Sequence, residues 1–320
     1  MRRKLVLKKI LTFLFILTLL TGCGSITYDS LENPDTPKLK VIATIFPQYD
    51  FVRQIAKNKV ELSMLLPPGA ESHTFEPSPS DILNVTNSDL FIYTGAAMEP
   101  WAKRIISSIP SNKNAEVMDI SEKIPYDETP EEHEAHDINH YHTIDPHFFT
   151  NPVYAQIAVK EICEALCRLD PKNAHFYREN TSWYLGWLSD LDKDIRDVAK
   201  KKTRDEVVFG GRFAFYHFMK EYDIKYISAF DGCSAETDPG IMRIYEIITE
   251  MQEKEIRTVY YEELRDPATA RFIAEETGAE LLLLHSCHNI TKDEMKIGVG
   301  YLDLMKKNLV NLERGLNRWE

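Results

Sequence analysis

From about Lys172 to Lys202 the sequence holds one helical pattern with few breaks. This stretch limits what the chain can build. At 1.5 Å per residue it spans roughly 45 Å, more than one lobe needs. It reads as a rigid strut between two lobes. Asn151-Pro152 opens an earlier helix that runs to about Leu169, and Asp170-Pro171 opens the strut itself.

On either side of the strut, short apolar runs alternate with helical segments. Before it, Leu39–Ile45, Val60–Leu66, Leu90–Tyr93 and Val117–Ile120 read as strands, with helical spacing at Tyr49–Ala56 and a capped start at Ser78-Pro79. After it, Glu206–Phe209, Lys225–Ala229, Arg257–Tyr261 and Glu280–Leu284 read the same way. Asp238-Pro239 and Asp266-Pro267 look like caps followed by first-turn prolines, and Thr291 with Glu294 makes a capping box. Strands separated by helices imply parallel βαβ units. The expected fold class is therefore α/β, with two parallel-sheet lobes joined by one long helix and a ligand cleft between them. The expected divisions are a first lobe over 38–170, a linker helix over 171–204 and a second lobe over 205–320.

The N-terminus reads as an export signal over 1–22. Five basic residues, Arg2, Arg3, Lys4, Lys8 and Lys9, precede an apolar run, Ile10–Leu20, too short to span a bilayer comfortably. An uncleaved anchor helix is the competing reading. Leu20-Thr21-Gly22-Cys23 resembles a bacterial lipobox, in which Cys23 would carry lipid. Residues 23–37 then read as a polar tether broken by Pro34 and Pro37. The formal charge of -12 includes those five basic residues, so without them the chain carries -17. Such a charge disfavours nucleic acid and mildly favours cations.

Five of the 10 histidines lie between Glu131 and His147, in EEHEAHDINHYHTIDPH. His133, His136, His140 and His142 stand among carboxylates within the loop 127–146, a composition that points to metal. Ligands of open parallel sheets sit beyond the carboxyl ends of strands. His73, His147 and His285 each follow a strand or open a helix in such a place. Three imidazoles with a carboxylate or water suit zinc, whereas manganese prefers more carboxylate oxygen. Glu71 and Glu236 are the additional candidates. His217 reads as a core or groove residue, His288 as a support behind a ligand, and His175 as surface. Cys163 and Cys167, four apart on an apolar helix, read as buried thiols, and Cys233 with Cys287 as a disulfide candidate.

The segments IFPQYDFVRQIA, LLPPGAESHTFEPSPSDI, DLFIYTGAAMEPW, DPHFFTNP, EETGAELL and YLDLMKKNL carry a family likeness. Across them the chain resembles the metal-binding lipoproteins of bacterial zinc and manganese ABC uptake systems, the cluster A-I solute-binding proteins. The resemblance implies two lobes on one rigid helix, little domain closure, Zn2+ held between the lobes, and delivery to an ABC permease. It implies a monomer held at the cell membrane by lipid. His73 and His147 match the family's two first-lobe metal histidines. Arg212 stands where many members have histidine or glutamate, and His285 where they carry a metal aspartate. An arginine cannot ligate, because its guanidinium stays protonated. The resemblance also makes the histidine loop a gatherer of ions.

Two other classes are weighed against this one. A surface adhesion or assembly protein could borrow the fold. A zinc-dependent hydrolase would need an open coordination position and a base, with Glu71 as base and Arg212 as anion holder. No HExxH, nucleophile elbow or phosphate loop is present in the sequence.

Overall fold

The structure, a computed structural model, describes residues 37–112, 115–126, 145–230, 232 and 239–317. The export segment, Cys23, the histidine loop with His133, His136, His140 and His142, Cys233 and Glu236 lie outside the described residues. The body from Leu39 onward forms one compact unit.

Its first half runs β1 (Leu39–Ala43), α1 (Phe46–Ala56), β2 (Val60–Met64), α2 (Pro79–Thr86), β3 (Leu90–Tyr93), α3 (Ala102–Ser108), β4 (Glu116–Asp119) and α4 (Pro152–Leu169). The helix α5 (Ala174–Lys200) follows. Then come β5 (Glu206–Phe209), α6 (Tyr216–Glu221), β6 (Lys225–Ser228), α7 (Ile241–Glu253), β7 (Thr258–Tyr261), α8 (Ala268–Thr277), β8 (Glu280–Leu283), α9 (Lys292–Ile297) and α10 (Tyr301–Leu316).

Each half has one four-stranded sheet, in the orders β2-β1-β3-β4 and β6-β5-β7-β8. Every pairing is parallel, for example Val41 with Leu90 and Val259 with Leu281. Parallel strands are buried on both faces, and the packing follows the two-residue side-chain alternation. In β7, Tyr260 enters the central core while Val259 enters an outer cluster with Ile247 and Ile273. In β1 and β3, Val41 and Ile92 face the central core, whereas Ile42 and Phe91 face outward with Trp101 and Ile105.

The central core is continuous across both lobes. It takes Phe46 and Phe51 from α1, Ile162 from α4, Phe209 from β5 and Leu304 from α10. The helix α5 runs through it, burying Tyr177, Thr181, Tyr184, Leu188, Leu191, Ile195 and Ala199 along one stripe. That spacing of three and four is a helix's own surface period. The helix has 27 residues, about 40 Å of length, and begins after a short 3-10 turn at Pro171–Asn173.

Polar clamps also cross between the lobes. The buried Asp50 carboxylate pairs with Arg53 at 2.6 Å and accepts the Tyr301 N–H at 2.7 Å. Arg53 reaches the Val299 carbonyl, and the Asn289 amide donates to the Pro67 and Ala70 carbonyls.

The caps at Ser78, Asn151 and Thr291 form, each side chain accepting a first-turn N–H. The two C-lobe Asp-Pro starts differ from expectation. Gly240 caps α7, and Pro267 itself occupies the cap position of α8. Asp266 pairs with Arg271 instead of capping. Among the described residues no helix is long and apolar enough to cross a membrane.

Candidate metal centre

The loop after β2 carries His73, and local packing fixes where it goes. Pro67-Pro68 stop the strand, and Gly69 turns the chain at φ 86, where a side chain would be strained. The Trp101 indole donates to the Ser72 carbonyl at 2.8 Å, pinning the loop one residue before the histidine. The His73 Nε2 is buried and has no hydrogen-bond partner among the described residues. A buried imidazole nitrogen left so is unusual and calls for a ligand.

His147 stands at the end of the segment that precedes α4. Asp145 accepts both its backbone N–H at 2.8 Å and its Nδ1 at 2.6 Å. With Nδ1 donating to a carboxylate, the neutral ring keeps its lone pair on Nε2, which is also buried. From the second lobe, His217 Nε2 meets the Asp145 carbonyl at 2.8 Å, so His217 braces the aspartate's backbone. Burial pushes the Asp145 carboxyl up, but the His147 ring and its hydrogen bonds more than offset this and hold it below the usual range.

The rings of His73 and His147 meet edge to face with centroids 5.7 Å apart. His288 also stands near His147, its ring centroid 6.5 Å away. Here the structure differs from the sequence expectation. His285 was the C-lobe candidate, but it lines a separate cavity of about 270 Å3 with Lys307 and Asn308. Its Nδ1 accepts the Cys287 N–H at 3.0 Å, so the neutral ring carries its proton on Nε2 and has no free lone pair. Glu263 also stands 3.6 Å from that Nδ1. The backbone N–H decides the tautomer, since it cannot donate to a protonated nitrogen.

Cys287, at φ 67, reverses the chain between the two histidines. His288 then lines the inter-lobe cleft, and its carbonyl accepts the Phe46 N–H of the first lobe at 3.3 Å. Its Nδ1 is engaged by the Ser286 hydroxyl. Cys287 is a free, wholly buried thiol rather than half of a disulfide. Cys163 and Cys167 are likewise free and buried, with sulfurs 3.9 Å apart. His175 is exposed on α5 beside Glu179.

The cleft has a volume of about 210 Å3 and is lined in part by Glu71, Arg212, Glu262, Arg265 and His288. Glu71 already has work: one oxygen accepts the Arg265 guanidinium at 2.9 Å and the other the His73 N–H at 3.3 Å. Burial raises its carboxyl, but Arg265 and the nearby histidines more than offset that and leave it lowered. The Arg212 backbone N–H donates to Glu262 at 3.0 Å.

Burial, with the neighbouring His147 charge, pushes His73 down to about 4. Burial lowers His288 too, against the pull of Glu263. Both rings are therefore neutral at neutral pH, and a cation meets no bound proton to displace.

Among the described residues no three His, Cys, Asp or Glu side chains already stand at ligating distance. A tetrahedral zinc ion would hold imidazole centroids about 5 Å apart. The observed separations of 5.7 and 6.5 Å call for ring movements of roughly one ångström, within reach of side-chain rotation. The sequence had not marked Glu263 or Ser286, and it marked Asp145 only as one of the carboxylates of the histidine stretch. A carboxylate two residues before His147 and a hydroxyl two before His288 were the available signals.

The family model "Zinc-uptake complex component A periplasmic" (ZnuA) matches residues 41–315. The high-affinity zinc uptake system protein ZnuA of Bacillus subtilis is 34% identical over 309 residues, covering 93% of this chain and 94% of that protein. The zinc-binding lipoprotein AdcA of Streptococcus pneumoniae is 26% identical over 280 residues, 87% of this chain but 55% of its own length. Among solved structures, the metal-dependent lipoprotein YcdH of Bacillus subtilis superposes with a TM-score of 0.76 at 32% identity, covering 88% of this chain and all of that one. A match through both sheets and the joining helix leaves one assignment: this chain belongs to the ZnuA family, the binding components of zinc-uptake complexes.

Proposed function

We propose that this protein captures Zn2+ outside the cytoplasm and delivers it to an ABC-type permease. The ion is cargo, held by Nε2 of His73, His147 and His288, with water or a reoriented Glu71 as the fourth donor. The observation that carries this reading is the approach of three imidazoles from both lobes, with His147 and His288 buried and the half-buried His73 keeping its Nε2 buried, and with ring centroids 5.7 and 6.5 Å from that of His147.

Imidazole nitrogen favours zinc over manganese. Arg212 supplies no lone pair, so it bounds the site electrostatically and leaves room for water in the cleft. The family is one of solute-binding transport components rather than enzymes. Cys23 anchors the protein to the membrane by lipid, residues 24–37 tether it, and the histidine loop feeds ions toward the cleft.

Calorimetric titration of the metal-free chain from Gly24 onward tests this. One zinc ion should bind tightly, with manganese weaker. Deleting 131–142 should slow loading yet leave that single site intact. Loss of all binding on that deletion would place the site in the loop and overturn the cleft assignment.

A further inference from the structure

Behind His288 lies a set of buried groups that zinc capture alone does not account for. Glu263 follows β7 and is almost fully buried. Its Oε2 accepts the Ser286 N–H at 2.8 Å and its Oε1 the Ser286 hydroxyl at 2.6 Å. The same hydroxyl oxygen meets His288 Nδ1, and Glu263 Oε1 stands 3.4 Å from that nitrogen.

A serine hydroxyl has one proton, and here it is committed to the carboxylate. Toward His288 the oxygen can only accept. His288 Nδ1 therefore carries the ring's proton and donates it, which leaves the lone pair on Nε2 of a ring that lines the cleft. His285 shows the opposite arrangement, its Nδ1 accepting from Cys287. One turn thus presents two histidines in two tautomers, and only one of them can ligate.

The first lobe solves the same problem directly, through Asp145 and His147. Burying a carboxylate is costly unless its hydrogen bonds are made, and Glu263 makes them all toward this turn. Burial pushes the Glu263 carboxyl up, but the two histidines and the Ser286 donors more than offset it.

We propose that Glu263, acting through the Ser286 hydroxyl, is the positioning residue that fixes the tautomer and orientation of His288, and so sets how tightly the second lobe grips zinc. This rests on the reading of His288 as a ligand.

A double-mutant cycle on the detergent-solubilised full chain tests it, with Zn2+ affinity and the visible absorption of the Co2+-loaded protein as readouts. Glu263→Gln should weaken zinc by about 10–100-fold and shift the cobalt band. Ser286→Ala, which removes only the relay, should act in the same direction and serves if the first variant does not fold. In a His288→Ala background, Glu263→Gln should change affinity by less than about twofold, because its target is gone.

An equal loss in both backgrounds would make Glu263 merely structural and overturn the proposal. So would an unchanged affinity for both Glu263→Gln and Ser286→Ala while His288→Ala weakens binding. If His288→Ala itself leaves affinity untouched, the ligand reading fails, and the positioning role falls with it.

Discussion

Replacing His288 with alanine is expected to weaken zinc binding by about a hundredfold or more. Zinc sites of protein donors are worth about 10–16 kcal/mol at neutral pH, so one of four ligands carries roughly 3 kcal/mol. The same substitution at His285 should cost less than about tenfold, since its ring neither faces His147 nor offers a lone pair. Competition titration against a chelator of known affinity measures both. A reversed order, with His285→Ala the damaging change, would mean that the turn at Cys287 is inverted in the zinc-loaded protein.

The second large effect concerns folding. Glu99 is completely buried, and its carboxyl accepts the Thr44 hydroxyl at 2.6 Å, the Thr94 hydroxyl at 2.9 Å, and the Thr94 and Gly95 N–H groups at 3.1 Å. This is where the chain leaves β3, so the glutamate knits that strand end to the one after β1. Glu99→Gln would turn an amide donor against donors already present. About 2–3 kcal/mol of stability should be lost at pH 7.5, from donors left unmatched in the interior.

The loss should depend on pH. Burial raises Glu99 to about 7, against the pull of those donors, from an ordinary value of 4.5. Between those values the folded chain holds a proton that the unfolded chain has released, so wild-type stability falls as pH rises through the window. Glutamine does not titrate. The gap between wild type and variant should therefore be widest near pH 5 and narrow toward pH 8. Urea unfolding of the metal-free proteins at both pH values checks this. A gap independent of pH would mean that the carboxylate stays ionised throughout.

Much of the fold was legible in the sequence because its signals are local. The strands β1 to β8 are short apolar runs between helical segments, and their observed ends fall within a residue or two of the apolar boundaries. The length of α5 could be read from an unbroken three-and-four spacing. What could not be read locally is which lobe face each helix covers. Tyr260 and Val259 are neighbours in one strand yet enter different cores.

The site divides in the same way. His73, His147 and His285 follow from position alike, and the structure brings the rings of the first two together. His288 does not, because choosing between it and His285 depends on a left-handed residue at Cys287. Glycine or asparagine normally announces such a turn, and neither stands there. Glu263 and Glu99 give no local signal either. A glutamate's burial is decided by donors far along the chain, such as Ser286 for the first and Thr44 for the second.

The central claim is that imidazoles from both lobes share one zinc ion. Crystals of the zinc-loaded protein, with anomalous data collected at the zinc edge, test it most directly. The account predicts one strong peak in the cleft, about 2.0–2.1 Å from Nε2 of each of His73, His147 and His288. A peak bound by His285, or one held only by residues of the 131–142 loop with the cleft histidines unligated, would contradict it.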